Sequence, residues 1–321
     1  MARKYIRFNY FMVNLTPEGL PGNMAGRNIA APWDMKPMLD YLAVGRNVLN
    51  GEVDVGVYIA DFERETIINV MGSDFYTFQI SKLRDTNIPA KKRVGSPKED
   101  INLNHDEYIG EFVTIMFDPT YNTVGVQSNQ YSLNIPQIEV YLTELRRRYK
   151  QQVGEQEQVP MKVELNPLID YSKVDTIQDS EIFRKITVKG SSVEADALAQ
   201  HGTLNEVSEL LGRLQGLNFE LTVSLGQVAK EETLDNEIIQ EIVEGFKNIE
   251  DERERPNIEI TSREDLESPI EIVNLLTPRL TNKISVVVEN RATIGHQLIH
   301  TAYMESYLEQ RRKIARVIRE M

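Results

Sequence analysis

Apolar and polar positions alternate at the start of the chain, where Ile6, Phe8, Tyr10 and Met12 mark a strand. A loop rich in Gly, Pro and Asn follows as far as Trp33. Asp34 then stands at an N-cap position, and Met38, Leu39 and Leu42 recur at helical spacing before Gly51 ends the pattern. Three β-branched and aromatic runs, "EVDVGVYIAD", "RETIINVM" and "DFYTFQISKL", predict consecutive antiparallel strands. Residues 86–105 are polar and poor in apolar positions, which predicts a mobile segment. Beyond them "YIGEFVTIMFD" and "NTVGVQ" read as strands joined at Asp118-Pro119, and "NIPQIEVYLTELRRRYK" as a helix. Asn134 caps that helix, Pro136 suits its first turn, and Ile138, Tyr141, Leu142, Leu145 and Tyr149 form its apolar stripe. Arg146, Arg147, Arg148 and Lys150 end it, where the helix dipole favours cations.

"QQVGEQEQVP" (151–160) has the composition of a linker and places a boundary there. The strands predicted beyond it are "MKVELNPLI", "IFRKITVKG", "NFELTVSL", "NIEITS" and "NKISVVVEN", interspersed with the helices "LNEVSELLGRLQGL" and "TLDNEIIQEIVEGFKNI" and a last helix from about Arg291. The expected fold is α+β. A strand-rich domain over 1–152, mostly antiparallel sheet with packed helices, precedes an acidic mixed α/β domain over 160–321 that ends in the long helix.

Composition narrows the setting. The 321 residues include no cysteine, which removes disulfides, thiolate metal sites and cysteine nucleophiles, and fits the cytoplasm. Arg7 and Asn9 interrupt the apolar run at the N-terminus, so it reads as a strand rather than a signal peptide. No apolar run is long enough to cross a bilayer, so no direct membrane insertion is expected. The net charge is −13, and it lies in the second half: residues 1–150 hold 17 Lys+Arg against 18 Asp+Glu, residues 151–321 hold 19 against 31. Phosphate neutralisation dominates nucleic-acid affinity, so an acidic chain binds nucleic acid only through local basic patches.

Two histidines four apart, His296 and His300 in "HQLIH", resemble half of a zinc-peptidase helix, but Gln297 occupies the general-base position and no third ligand follows. No metal is expected, and the absence of phosphate-cradling glycine motifs leaves no cofactor expected either. Arg291 and His296 match the spacing of the R-x4-6-H motif of HEPN ribonucleases, and Ala292 departs from that pattern. They define an alternative reading, a HEPN-like ribonuclease toxin. With no nucleophile elbow present, a binding protein is the leading expectation over an enzyme. The candidate nucleic-acid-binding residues are Lys91, Lys92, Arg93 and Lys98 in the polar segment, and Arg312, Arg316 and Arg319 on one face of the last helix, with Ile314, Val317 and Ile318 on another. The acidic second half suits a protein partner.

The opening strand "RKYIRFNYFMV", the strand, Asp-Pro turn, strand and helix of "FVTIMFDPTYNTVGVQSNQYSLNIPQIEVYL", and the closing "HTAYMESYLEQRRKIARVI" resemble an uncharacterised bacterial family of the mobile-element or phage-defence type. The layout is similar to the KwaB proteins of the Kiwa defence system. That resemblance implies a bacterial cytoplasmic protein that senses or binds nucleic acid or protein, as a homo-oligomer, and it transfers no site residue.

Overall fold

The computed structural model describes residues 2–18, 30–47, 49–70, 75–200, 202, 204–266, 270–290 and 292–320. These form two compact units: unit 1, Met1–Leu168 with Leu280–Met321, and unit 2, Ile169–Arg279. The fold is α+β, with seven helices and fifteen strands among the described residues. None of the helices is long and apolar enough to cross a membrane.

Unit 1 begins with β1 (Ala2–Pro17), β2 (Ala31–Pro32), α1 (Lys36–Ala43), β3 (Val53–Asp54), β4 (Ile59–Val70) and β5 (Phe75–Arg84). It continues with a small ribbon of β6 (Lys91–Lys92) and β7 (Lys98–Glu99), then β8 (Ile109–Asp118), β9 (Thr123–Gln127), α2 (Ile135–Gln152) and β10 (Met161–Pro167). Unit 2 holds α3 (Ser172–Thr176), β11 (Ile182–Ser191), α4 (Ser192–Gln200), α5 (Asn205–Leu214), β12 (Asn218–Ser224), α6 (Asn236–Asn248), β13 (Asn257–Arg263) and β14 (Glu271–Asn274). The chain then returns to unit 1 with β15 (Thr281–Val288) and α7 (His296–Glu320).

The main sheet of unit 1 is antiparallel, in the order β10-β1-β9-β8-β5-β4-β3, with β15 and β2 also on β1. β1 organises it. One edge of β1 pairs with β15 from Ala2 to Asn9 and with β10 from Phe11 to Pro17, while the opposite edge pairs with β9 and β2. The hand-over falls at Tyr10, whose N–H donates to Leu280 O (3.2 Å) and whose carbonyl accepts from Leu168 N–H (2.9 Å). Both faces are covered. On one, α1 and α2 bury Met38, Leu39, Ile138, Tyr141, Leu142 and Leu145 against Phe78, Ile80 and Ile115. On the other, α7 buries Ile299, Tyr303, Tyr307, Ile314 and Val317 with Phe8, Tyr10, Phe75 and Ile284.

Local chemistry explains the elements. Asn134 and Gln137 form a capping box that starts α2. Asp34 accepts from Lys36 N–H (2.9 Å), although α1 opens one residue later than an Asp34 cap predicts, with Met35 at the cap. The end of "EVDVGVYIAD" from Ile59 and the next run as far as Val70 are one strand, β4, rather than two, with a bulge between Glu63 and Ile68. The outer edge of β10 is closed by α2: Thr143 Oγ1 accepts from Val163 N–H (2.8 Å) and Glu139 Oε1 from Leu165 N–H (2.7 Å).

The chain divides differently from the 1–152 and 160–321 partition. β10, β15 and α7, all predicted for the second domain, belong to unit 1. Residues 151–160 are no free linker either: Glu157 pairs with the buried Arg146 (3.0 Å for one of two contacts) and with Lys150 (3.3 Å), and Glu155 also pairs with Lys150 (3.2 Å). The polar character that suggested a linker supplies the ion pairs that fasten the segment to α2.

Unit 2 is an antiparallel sheet in the order β12-β11-β13-β14. Its core joins Phe183, Ile186, Val188, Ile258 and Ile260 of the strands to Leu198 of α4 and Ile239, Val243 and Phe246 of α6. Unit 2 holds 24 Asp+Glu against 11 Lys+Arg and unit 1 holds 25 of each, so the whole net charge of −13 resides in unit 2.

Candidate functional site

The predicted cationic residues occupy two places that the fold keeps apart. Lys91, Lys92, Arg93 and Lys98 lie on the β6–β7 ribbon and are exposed, with Lys92 directly opposite Lys98. Facing like charges repel, so this ribbon gains from an anion that screens them. The ribbon lies in the connection that leaves β5 at Arg84 and re-enters β8 at Ile109. Arg312, Arg316 and Arg319 are exposed on α7, beside the turn that follows Asp118 at the far end of β8. Ten residues of strand separate the two roots, ~30 Å at 3.3 Å per residue.

The α7 cluster lines a concavity. A groove of about 560 Å³ is lined by Tyr121, Leu308, Arg311, Arg312, Arg316 and Arg319, with Ala315 and with Glu320 as its one acid. Ile314 and Val317 are buried on the other side of the helix, so packing fixes the face that the arginines present.

Arg311, which sequence reasoning missed, is the most firmly placed of the four. Its Nε lies 3.2 Å from Asp118 Oδ2 in an ion pair, its Nη2 donates to Thr120 Oγ1 (2.8 Å), and its guanidinium sits 5.4 Å from the Tyr121 ring centroid. Asp118 is itself buried and accepts from the Tyr307 hydroxyl (2.6 Å). Burial, with Asp118 beside it, pushes the Tyr307 pKa far above its ordinary value, so the phenol stays a donor. Tyr303, one turn earlier, shares a hydrogen bond with Tyr10 (2.8 Å) and packs edge-on to Phe8 at 5.0 Å. The signal for Arg311 was available in "FDPTY": an Asp before a turn and an aromatic after it, both meeting a helix nearly two hundred residues away.

The largest groove among the described cavities, about 650 Å³ between α2 and β10, is less suited to a ligand. Its lining sets Glu18, Asp54, Glu139, Glu144 and Glu164 against Arg147, Arg148 and Lys162, so acids outnumber cations there, whereas in the α7 groove only Glu320, 4.0 Å from Arg316 Nε, offsets four arginines.

The histidines lie at the start of α7 over β5. Thr77 Oγ1 is 3.2 Å from His296 Nε2 and 3.1 Å from His300 Nδ1, so one hydroxyl bridges both rings. Burial, reinforced by His300, lowers the His296 pKa to about 4, and burial lowers that of His300. Both are neutral at pH 7, and an imidazole so depressed is a weak general base there. Among the described residues, no cluster of three or more His, Cys, Asp or Glu is placed to hold a metal ion. Arg291 lies outside the described residues, and α7 packs on a sheet rather than in the helical bundle of HEPN nucleases.

Fold and groove together define an α+β protein in which a neutral sheet unit carries an arginine-lined groove and an acidic unit is inserted between its last two strands. The family model described as "Family of unknown function (DUF6731)" matches residues 1–315, and the chain belongs to that family. No curated protein matches it.

Proposed function

We propose that the protein is a binding protein for nucleic acid and that the ligand's phosphates run along the α7 groove. One observation carries this reading: four arginines and Tyr121 converge on a single concavity with one acid, in a unit of no net charge. Arginine forks match phosphate oxygens two at a time. A single strand fits best, because cations beside an aromatic ring hold its backbone and stack its bases. The β6–β7 ribbon is a second contact for a longer ligand, since the two ends of β8 from which the groove and the ribbon's connection extend lie ~30 Å apart, about nine stacked nucleotides at ~3.4 Å each. A role in bacterial defence and a cytoplasmic location rest on the likeness to KwaB proteins and on the cysteine-free sequence.

Fluorescence anisotropy with five- and twenty-nucleotide single strands tests the reading. Arg312→Glu/Arg316→Glu/Arg319→Glu is expected to weaken both probes. Its log K against log salt plot is expected to flatten by about two, at ~0.7 per lost phosphate contact. Replacing Lys91, Lys92, Arg93 and Lys98 by Ala is expected to weaken the longer probe alone. An unchanged affinity and slope in the arginine variant would remove the site. Strand cleavage that His296→Ala abolishes would favour the ribonuclease reading instead.

A further inference from the structure

We propose that the outward face of α5 in unit 2 docks a basic amphipathic helix of a partner protein. Leu210 and Leu214 stand one helical turn apart on α5 and are 52% and 69% exposed, and Leu217, just beyond the helix, is 77% exposed. Only Leu211 of this helix is buried. After α5 the chain turns at Gln215, and Leu217 O accepts from Ser192 N–H (3.0 Å), which brings in Val193, itself 57% exposed. Val193 and Leu217 thus lie on adjoining backbone segments at the end of the helix that carries Leu210 and Leu214. Apolar side chains that stay exposed together within a rim of charged ones mark interaction sites on soluble proteins.

Charge selects the occupant. Glu206 and Glu209 flank the leucines on α5 and Glu194 and Asp196 lie on α4, against Arg213 alone, in a unit that carries the entire net charge of −13. A second copy meeting the patch face to face would set Glu206 and Glu209 against themselves. A helix with leucines on one stripe and Lys or Arg beside it satisfies both the apolar surface and the acids.

The test uses the full chain and two labelled eighteen-residue helical peptides, one of leucines on a stripe flanked by lysines, the other with every lysine replaced by glutamate. The lysine peptide is expected to bind at least tenfold more tightly than the glutamate peptide. Its affinity is expected to fall at least tenfold in Leu210→Asn/Leu214→Asn and in Glu206→Lys/Glu209→Lys. Far-UV circular dichroism checks that these variants fold. Leu217→Asn, which lies outside the helix, repeats the test should the double leucine variant be unfolded. Equal binding of the lysine peptide by wild type and leucine variants would reduce the effect to bulk charge and overturn the proposal. Self-association in sedimentation that Leu217→Asn abolishes would also overturn it, assigning the patch to a second copy.

Discussion

The insertion of unit 2 between β10 and β15 can be tested by cutting the chain in two ways. Residues 1–152, the domain that composition alone suggests, lack β10, β15 and α7. β1 then loses partners along one whole edge, eight positions with β15 and seven with β10. Ile6, Phe8, Tyr10, Phe75 and Met116, five buried side chains of the α7 face, are laid open to water. At ~1.5–3 kcal/mol per exposed large side chain this costs about 8–15 kcal/mol. Domains of this kind are stable by only ~5–15 kcal/mol, so the fragment is expected not to fold. The second cut removes Ile169–Arg279 and joins Leu168 to Leu280 through a few Gly and Ser residues. Leu280 N–H already donates to Leu168 O at 2.8 Å, so a short linker closes the gap at small entropic cost. The resulting chain of 168 and 42 residues keeps every buried residue of both faces of the main sheet. It is expected to unfold in one cooperative urea transition with the near-UV signal of buried tyrosines. A cooperatively folded 1–152 fragment, or an excised chain lacking fixed tertiary structure, would refute this reading.

Three further outcomes follow from individual contacts. His296 has a folded pKa of about 4 against an ordinary 6.5, so its contribution to stability is complete above pH 6.5 and lost as pH falls toward 4. Allowing for its partial exposure this amounts to about 2–3 kcal/mol, and His296→Gln should remove that slope from urea midpoints measured between pH 4 and 7. Gly125→Ala would set a Cβ 3.0 Å from Tyr10 Cε1 and 3.4 Å from the Tyr303 hydroxyl, and is expected to cost about 1–3 kcal/mol in chemical denaturation. Arg146 is buried beside Glu157, so Glu157→Gln is expected to cost about 3 kcal/mol at pH 7 by leaving its charge unanswered. The hydrogen bond from Arg146 lowers the Glu157 pKa, so the wild-type advantage should persist above pH 4.5 and fade as pH drops through the folded value; a loss under ~0.5 kcal/mol would mean that residues 151–160 are not held down.

Much of the local structure was legible in the sequence because its causes are local. The alternation of Ile6, Phe8 and Tyr10 made a strand, the stripe from Ile138 to Leu145 made a helix, and Asn134 started it. The arginines of α7 share a face because their spacing matches the helical turn. What periodicity does not carry is the identity of a strand's neighbour. "NKISVVVEN" fits either sheet by composition, and its place on β1 is decided by complementarity with residues nearly three hundred positions earlier. A charged segment is equally ambiguous, since the same glutamates solvate a linker or, facing Arg146 and Lys150, close a lid over a helix. Distance decided the site in the same way. Seven cationic residues read along the chain became one groove and one separate ribbon, and Arg311 joined the groove because Asp118 and Tyr121 meet it across the sheet.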